Sequence, residues 1–252
     1  MVLWALHHAM FGLGLRYARQ MALGEIGQEG SLKIRAASVL VVGMGGIGSP
    51  IADLFARAGV GRLGLVDGDR VDVTNLHRQI LFGMNDLGKN KADAAAEALR
   101  SVNPEVRIDS WPINLDKENA TELLSGWDII MDGTDNFSAR RIINSFCVIN
   151  RIPWVFSSSV GTVAQVKAII PGKTSCLSCF LKENHYDGPS CQEFGVLASS
   201  PIMAGSLAWS IAVRIISGKE PSGDRFRLDP WNQEFSRIEI KRNPSCPACS
   251  SL

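Results

Sequence analysis

The stretch VVGMGGIGSP, residues 41–50, decides the fold of this chain because it joins an apolar run to a glycine-rich turn. Gly43, Gly45 and Gly48 stand in the spacing G-x-G-x-x-G. In α/β proteins such a turn connects a buried strand to a helix whose positive N-terminal end faces phosphate groups. The stretch therefore predicts a phosphate-binding turn, although the turn does not identify the nucleotide.

Strand and helix patterns alternate around this turn and predict the rest of the fold. We predict strands at Ser38–Val42, Arg62–Asp67, Val106–Trp111 and Trp127–Met131, and helices at Gly46–Ala58, Lys89–Ser101, Glu118–Ser125 and Ala139–Asn150. Beyond these we predict two adjacent strands within 153–170, one apolar helix at Ser199–Ser217, and closing strands at Arg225–Asp229 and Arg237–Lys241. The predicted class is α/β, a Rossmann-like doubly wound, mostly parallel sheet with helices on both faces, extended by C-terminal antiparallel strands.

Composition and charge restrict the function classes. The chain has 252 residues, 46% of them hydrophobic and 20% charged, enough for one α/β domain with a buried core. The formal charge of +1, without a block of Lys and Arg, argues against a protein that binds nucleic acid or membrane surfaces nonspecifically. No apolar run approaches the roughly 20 residues of a membrane-spanning helix. We therefore expect a soluble, cytoplasmic protein.

The N-terminal residues 1–15, MVLWALHHAMFGLGL, are treated as an extension. Three interpretations stay open for this stretch. It is a helix that packs on the body or on a partner, a misassigned start upstream of Met10, or a cleaved signal peptide.

Four of the six cysteines form two C-x-x-C pairs, Cys176 with Cys179 and Cys246 with Cys249. In this spacing two thiolates of one turn can bind the same tetrahedral zinc ion. A shared ion would clip the C-terminal segment to the middle of the chain, which adds a structural four-cysteine zinc site to the predicted fold. Redox dithiols and plain buried thiols are the alternatives. We expect the fifth cysteine, Cys147, to be a core residue.

Residues after the glycine turn narrow the choice of nucleotide. Asp67 follows Gly48 by 19 positions and ends the second predicted strand, where a carboxylate can accept hydrogen bonds from ribose hydroxyls. On that basis alone an NAD-dependent dehydrogenase is the default interpretation. Asn75, Arg78 and Lys91, however, bring polar and cationic groups to the same edge of the sheet. Hydride transfer does not require them, whereas the negative charge of a triphosphate does.

Several segments in this order resemble the ThiF/MoeB/HesA family of adenylating enzymes, which is related to ubiquitin-activating enzymes. The segments are RYARQ, GMGGIGSP, LVDGDRVDVTNLHRQ, GKNKA, DGTDNFSARR and the paired C-x-x-C knuckles. The resemblance runs from about Leu15 to Ser250, nearly the whole chain. It implies a single adenylation domain over 16–252, with a nucleotide-binding part at about 38–150 and a carrier-binding and zinc part at about 151–252.

The implied reaction uses ATP to adenylate the C-terminal glycine carboxylate of a ubiquitin-like sulfur carrier ending in Gly-Gly, releasing pyrophosphate. The implied cofactors are Mg²⁺ and Zn²⁺, and the implied partners are the carrier, a second copy in a homodimer and a separate sulfur donor. The pathway, whether molybdopterin, thiamin, tRNA thiolation or protein conjugation, stays open. Two alternatives within the family are a tRNA threonylcarbamoyladenosine dehydratase and an inactive partner subunit.

The resemblance also implies roles for individual residues. The nucleotide would be held by Gly43, Gly45, Gly46, Gly48, Asp67, Asp69, Asn75, Arg78, Gln79 and Lys91, with Asp135 holding magnesium on the phosphates. Taken singly, Lys91 could be a solvated surface residue, Arg78 could pair with Asp69 or Asp72, and Asp135 could cap the next helix.

Two further catalytic residues are expected outside the nucleotide-binding part. The resemblance implies that Arg19 reaches the active site of the other subunit, and a surface salt bridge is its alternative role. Cys191 lies in a polar Gly/Pro-containing stretch, where covalent chemistry, a free surface thiol and a regulatory thiol stay open. Ala164-Gln165 departs from the Gly-Gln pair common in relatives, which puts the shape of the carrier groove in doubt.

Overall fold

The computed structural model describes residues 15–181 and 195–250. The extension 1–14 and Cys191 therefore lie outside the described residues. Residues 15–21 are helical and are called α1. The further helices are α2 (Gly27–Ala36), α3 (Gly48–Ala58), α4 (Lys91–Val102), α5 (Ala120–Leu124), α6 (Phe137–Asn150), α7 (Leu177–Phe180) and α8 (Ser199–Ile216). The strands are β1 (Ser38–Val42), β2 (Arg62–Val66), β3 (Arg107–Trp111), β4 (Ile129–Asp132), β5 (Trp154–Val160), β6 (Val163–Ile169), β7 (Arg225–Asp229) and β8 (Glu234–Ile238).

The eight strands form one sheet in the order β3-β2-β1-β4-β5-β6-β7-β8. Strands β1 to β5 are parallel, and β6, β7 and β8 continue the sheet in antiparallel pairing. The direction of strand succession reverses between β1 and β4, and in doubly wound sheets ligands bind in the crevice at this point. The predicted fold class is confirmed.

Two apolar cores, one on each face of the sheet, hold the helices. On one face α3, α4 and α8 pack on the sheet through side chains such as Phe55, Leu99 and Ala208. On the other face α5, α6 and α7 pack through residues such as Leu123, Ile143 and Leu177. Cys147 is fully buried in this second core, and burial raises the pKa of its thiol, which keeps it protonated. Its predicted core position is confirmed.

Helix α8, Ser199–Ile216, is long and apolar enough to cross a membrane by length and composition alone. In this fold it packs against β5, β6 and α3 instead. Ala204 and Ala208 on it are completely buried in the first core. Its apolar character is explained by this central position between the sheet and α3.

The closing strand differs from its predicted bounds. The sequence pattern predicts Arg237–Lys241, whereas β8 spans Glu234–Ile238. Its register is fixed by the hairpin, in which Asp229 pairs with Glu234 and Gln233 takes a left-handed φ of 59°. Because most of β8 is exposed, its sequence carries no alternation that could have located it.

Candidate nucleotide site and cysteine cluster

The glycine turn lies where β1 and β4 end side by side, and its backbone is in close contact with the turn after β4. A Cβ on Gly43 would lie 2.7 Å from the carbonyl carbon of Gly133, and Gly43 itself has a φ of +90°. A Cβ on Gly48 would lie 1.8 Å from the carbonyl oxygen of Gly43. These glycines are therefore required by the packing of the protein itself, since a side chain on Gly43 would clash with the turn after β4 and one on Gly48 would clash within the glycine turn.

The other two glycines of the turn have different surroundings. A Cβ on Gly46 would lie 3.1 Å from the ring of Pro201 and 3.3 Å from Cγ of Arg78. A Cβ on Gly45 would have only ordinary contacts, at 3.9 Å from Gln79 Nε2 and from a backbone oxygen. Gly45 is thus the position in the turn where the protein itself would tolerate a Cβ atom.

Asp67 connects the second strand to the glycine turn. One carboxylate oxygen accepts a hydrogen bond of 2.6 Å from the backbone N–H of Met44, and the other accepts one of 2.8 Å from Asp69. Burial raises the pKa of Asp67, while the charge of Lys91 and these N–H groups act in the opposite direction. Each oxygen retains a lone pair that can accept a ribose hydroxyl.

Asn75, Arg78 and Gln79 form one hydrogen-bonded group beside the turn. The amide oxygen of Asn75 accepts bonds from Arg78 at 3.2 Å and from Gln79 Nε2 at 2.8 Å. Arg78 also donates to the carbonyl oxygen of Thr74. The suggested pairing of Arg78 with Asp69 or Asp72 is absent among the described contacts of its guanidinium group. The buried Oε1 of Gln79 has no hydrogen-bond partner among the described residues and could accept one from a ligand.

Lys91 is the first residue of α4 and is buried, with 7% of its side chain exposed. Its Nζ donates to Asp69 Oδ2 at 2.9 Å, and Asp69 is 66% exposed. Asn90 caps α4 and donates to the carbonyl oxygens of Asp67 and Asp69, which fixes the turn around the lysine. A solvated surface position for Lys91 is therefore wrong.

Asp135 follows β4 at the same edge of the sheet and is exposed. The cap of α6 is its neighbour Asn136, whose side chain accepts the backbone N–H of Ala139 at 2.8 Å. The alternative role of Asp135 as that cap is therefore wrong, which leaves its carboxylate available to a ligand or a cation.

An ion pair that sequence reasoning missed holds the turn after β4. Arg140 Nε lies 3.0 Å from Asp132 Oδ2, and the two side chains are 5% and 0% exposed. The other oxygen of Asp132 accepts from the N–H and the hydroxyl of Thr134, and Arg140 donates to the carbonyl oxygens of Thr134 and Ser157. The motif DGTDNFSARR contains both residues. Asp132 directly follows a predicted strand and Arg140 lies in the next predicted helix, so their spacing could have indicated this ion pair.

Arg19 lies on α1, far from the glycine turn of its own chain. Its neighbours attach α1 to the C-terminal ends of α3 and α4: Arg16 donates to Val102 O, and Gln20 donates to Ala58 O. These helix ends lie at the amino edge of the parallel strands, opposite the glycine turn, because each helix runs back along the sheet. Arg19 itself is exposed.

The four cysteines of the two C-x-x-C pairs come together on the second core. Their sulfur atoms all lie within 4.8 Å of one another. Neighbouring distances are 3.8 Å for Cys176 to Cys179, 3.6 Å for Cys176 to Cys246 and 3.5 Å for Cys179 to Cys249. Four thiolates around a tetrahedral zinc ion with Zn–S bonds of about 2.3 Å would be about 3.8 Å apart, so this donor set fits zinc.

The fold and this edge define a nucleotide-binding protein of the doubly wound α/β class. The model of the ThiF family matches residues 17–248, and the chain belongs to the ThiF family. It is 38% identical over 243 residues to the "Sulfur carrier protein adenylyltransferase" of Thermus thermophilus, covering 93% of this chain and 90% of that protein.

Two other comparisons concern a longer relative and a solved structure of the same fold. The chain is 38% identical over 245 residues to "Adenylyltransferase and sulfurtransferase MOCS3" of Xenopus laevis, and these cover 94% of this chain but only 54% of that protein. The crystal structure of Escherichia coli MccB with ATP superposes with a TM-score of 0.82 at 24% identity, covering 93% of this chain and 74% of MccB. This last likeness is one of fold.

Two glycine substitutions in the same turn should separate folding from ligand binding. We expect Gly48→Ala to lower the free energy of unfolding by about 3 kcal/mol, because the new methyl group meets a backbone oxygen. Gly45→Ala should change it by less than about 0.5 kcal/mol but weaken ATP binding about tenfold or more. Urea denaturation and calorimetric ATP titration measure the two effects. Equal loss of stability in both variants would contradict this division.

Proposed function

We propose that this protein is an ATP-dependent adenylyltransferase acting on the C-terminal glycine carboxylate of a ubiquitin-like sulfur carrier. The observation that carries the proposal is the group of Arg78, Lys91 and Asp67 around an open glycine turn, in a chain whose relatives are named for this reaction. The carrier's carboxylate would attack the α-phosphorus of ATP. A new C–O–P link forms, the bond between the α- and β-phosphates breaks, and pyrophosphate leaves.

The chain's own charges would make this reaction possible. A carboxylate and a triphosphate repel each other, so the site must hold both and stabilise the charge that develops on pyrophosphate. Arg78 can contact phosphate oxygens through two N–H groups, and Lys91 can supply a compact charge from the buried start of α4. The N-terminal end of α3 adds backbone N–H groups. Asp135 would hold magnesium, a cation that prefers carboxylate oxygens and phosphates.

ATP–pyrophosphate exchange tests the proposed reaction. We expect exchange only with a carrier that ends in Gly-Gly, and none after deletion of that tail. Lys91→Ala should lower the exchange rate about 100-fold or more, because its charge stabilises the transition state. The matched control is Lys89→Ala, an exposed lysine paired with Asp86 and Glu97. Absence of exchange with any carrier would favour the tRNA-modifying or inactive-subunit alternatives.

The antiparallel half of the sheet is suited to hold the body of the carrier, which supports assigning this role to residues 151–252. Strand β7 runs in the same direction as β5, so the β7–β8 turn lies at the nucleotide edge of the sheet. Trp231 and Phe235 at this turn are 70% and 62% exposed. From β4, next to the nucleotide crevice, to β8 the sheet spans about 19 Å. About six extended residues of the carrier's C-terminal tail can cover this distance between the docked carrier body and the crevice.

Replacing the exposed tryptophan should weaken carrier recognition alone. We expect Trp231→Ala to raise the KM for the carrier about tenfold or more, because aromatic anchors dominate protein interfaces. The KM for ATP should stay unchanged, since Trp231 lies several strands away from the crevice. The exposed Ile149 on α6 offers a control, Ile149→Ala. An unchanged carrier KM in Trp231→Ala would place the docking surface elsewhere.

A homodimer would complete the active site with Arg19 from the second subunit. This proposal is supported by the attachment of α1 at the amino edge, from which Arg19 does not reach the glycine turn of its own chain. Exposed apolar side chains beside the nucleotide site, Val73, Ile80, Met84 and Leu87, offer a surface for that second copy.

Mixing two inactive variants tests whether Arg19 acts across subunits. Arg19→Ala and Lys91→Ala should each be inactive as purified homodimers, while random exchange of subunits should restore about a quarter of wild-type exchange, since half of the dimers carry one intact site. Arg16→Ala, whose guanidinium contacts a backbone oxygen of its own chain, should stay active. Failure of the mixture to recover activity would assign Arg19 to its own subunit's site or to structure.

Zinc bound by the four cysteines would have a structural role, because four protein sulfurs leave no open position for substrate or water. None of the five described cysteines forms a disulfide with another described residue, which is consistent with the reducing cytoplasm where we place the protein. A separate sulfur donor would act on the adenylated carrier.

A further inference from the structure

Lys167 on β6 is a lysine whose side chain is completely buried. Alternate residues of this strand, Ala164, Val166 and Ala168, belong to the first core, so Lys167 points to the opposite face, where the second core and the cysteines lie. Its Nζ donates a hydrogen bond to the carbonyl oxygen of Gly223. Among the ion pairs of residues 15–181 and 195–250, none includes Lys167.

Helix α7, which carries Cys179, covers the position of Lys167. Phe156 and Arg225 are the cross-strand neighbours of Lys167 on β5 and β7. The ring of Phe180 lies 5.8 Å from the ring of Phe156, and the guanidinium carbon of Arg225 lies 5.8 Å from the same Phe180 ring. The last residue of α7 therefore lies over both neighbours of the buried lysine.

The charges around Lys167 are consistent with this position. Burial lowers the pKa of Lys167 to about 8, whereas Asp224, Cys179 and Cys176 raise it and Arg225 lowers it. Asp224, which also pairs with Arg237, is the largest of the charges that raise this pKa, followed by Cys179. A buried ammonium group is costly unless negative charges near it compensate its burial, and so is a buried cluster with excess negative charge.

We propose that Lys167 is the buried counter-cation of the cysteine cluster and strengthens its binding of zinc. The inference rests on the proposed zinc site. A zinc ion with four thiolates would carry a net charge of −2. The ammonium group of Lys167, on the sheet face beneath α7, would neutralise half of it. Without zinc the lysine remains a buried charge, so metal loading and the burial of Lys167 stabilise each other.

Zinc affinity of matched variants tests this role. Zinc-free protein is titrated with zinc against a colorimetric chelator, beside Lys167→Gln, Lys167→Met and Lys167→Arg. Gln and Met remove the charge, and we expect each to lower zinc affinity about 10- to 100-fold, as do other substitutions next to metal ligands. Arg keeps the charge and should retain most of the affinity. Lys173→Met, at an exposed lysine paired with Glu220, is the surface control and should bind zinc as the wild type does.

Thermal unfolding of the same proteins adds a second measurement that does not depend on activity. Lys167→Met should be at least as stable as the wild type without zinc, because an apolar side chain replaces a buried charge. It should gain less stability from added zinc than the wild type gains. Equal zinc affinity in the wild type and in both neutral variants would overturn the role of Lys167. A wild type that binds no zinc would instead remove the zinc site itself.

Discussion

The close approach of two backbone turns at the ends of β1 and β4 is the constraint on which the rest of the site depends. A Cβ on Gly48 would lie 1.8 Å from Gly43 O, and one on Gly133 would lie 2.5 Å from the same oxygen. Only glycine permits this geometry, and the geometry in turn points the start of α3 at the crevice. Met44, in the same turn, donates its N–H to Asp67, so the second strand is tied to this point as well.

Charge is arranged around the crevice in two ways. The pair of Asp132 with Arg140 is buried, and its hydrogen bonds to Thr134 and Ser157 hold the turn after β4. Lys91 and Arg78 differ, because their partners are an exposed carboxylate and neutral oxygens. Such partners can yield to a more strongly charged ligand, so these two cations suit the binding of phosphates. The buried pair therefore holds the structure, whereas Lys91 and Arg78 can exchange their present partners for the phosphates of a ligand.

The second half of the chain continues the same sheet, and its C-terminal segment is joined to α7 at the cysteine cluster. Here β6 to β8 extend the sheet, and residues 246–249 return to the start of α7 through the cysteine cluster. Loop closure over such a distance along the chain costs entropy, which a metal ion shared by the four cysteines would offset. The exposed hairpin of Trp231 and Phe235 lies at the same edge as the nucleotide crevice because β7 and β8 pair within the sheet.

The sequence by itself determined the alternating elements, the glycine turn and the two C-x-x-C pairs, because each depends on local spacing along the chain. It also indicated Asp67, Arg78 and Lys91 as residues of one edge, since parallel strands end together. Only the tertiary structure decided that Asn136 rather than Asp135 caps α6, and that Arg140 pairs with Asp132. The bounds of β8 and the burial of Lys167 were likewise decided by cross-strand register and by packing across the sheet, which no local pattern encodes.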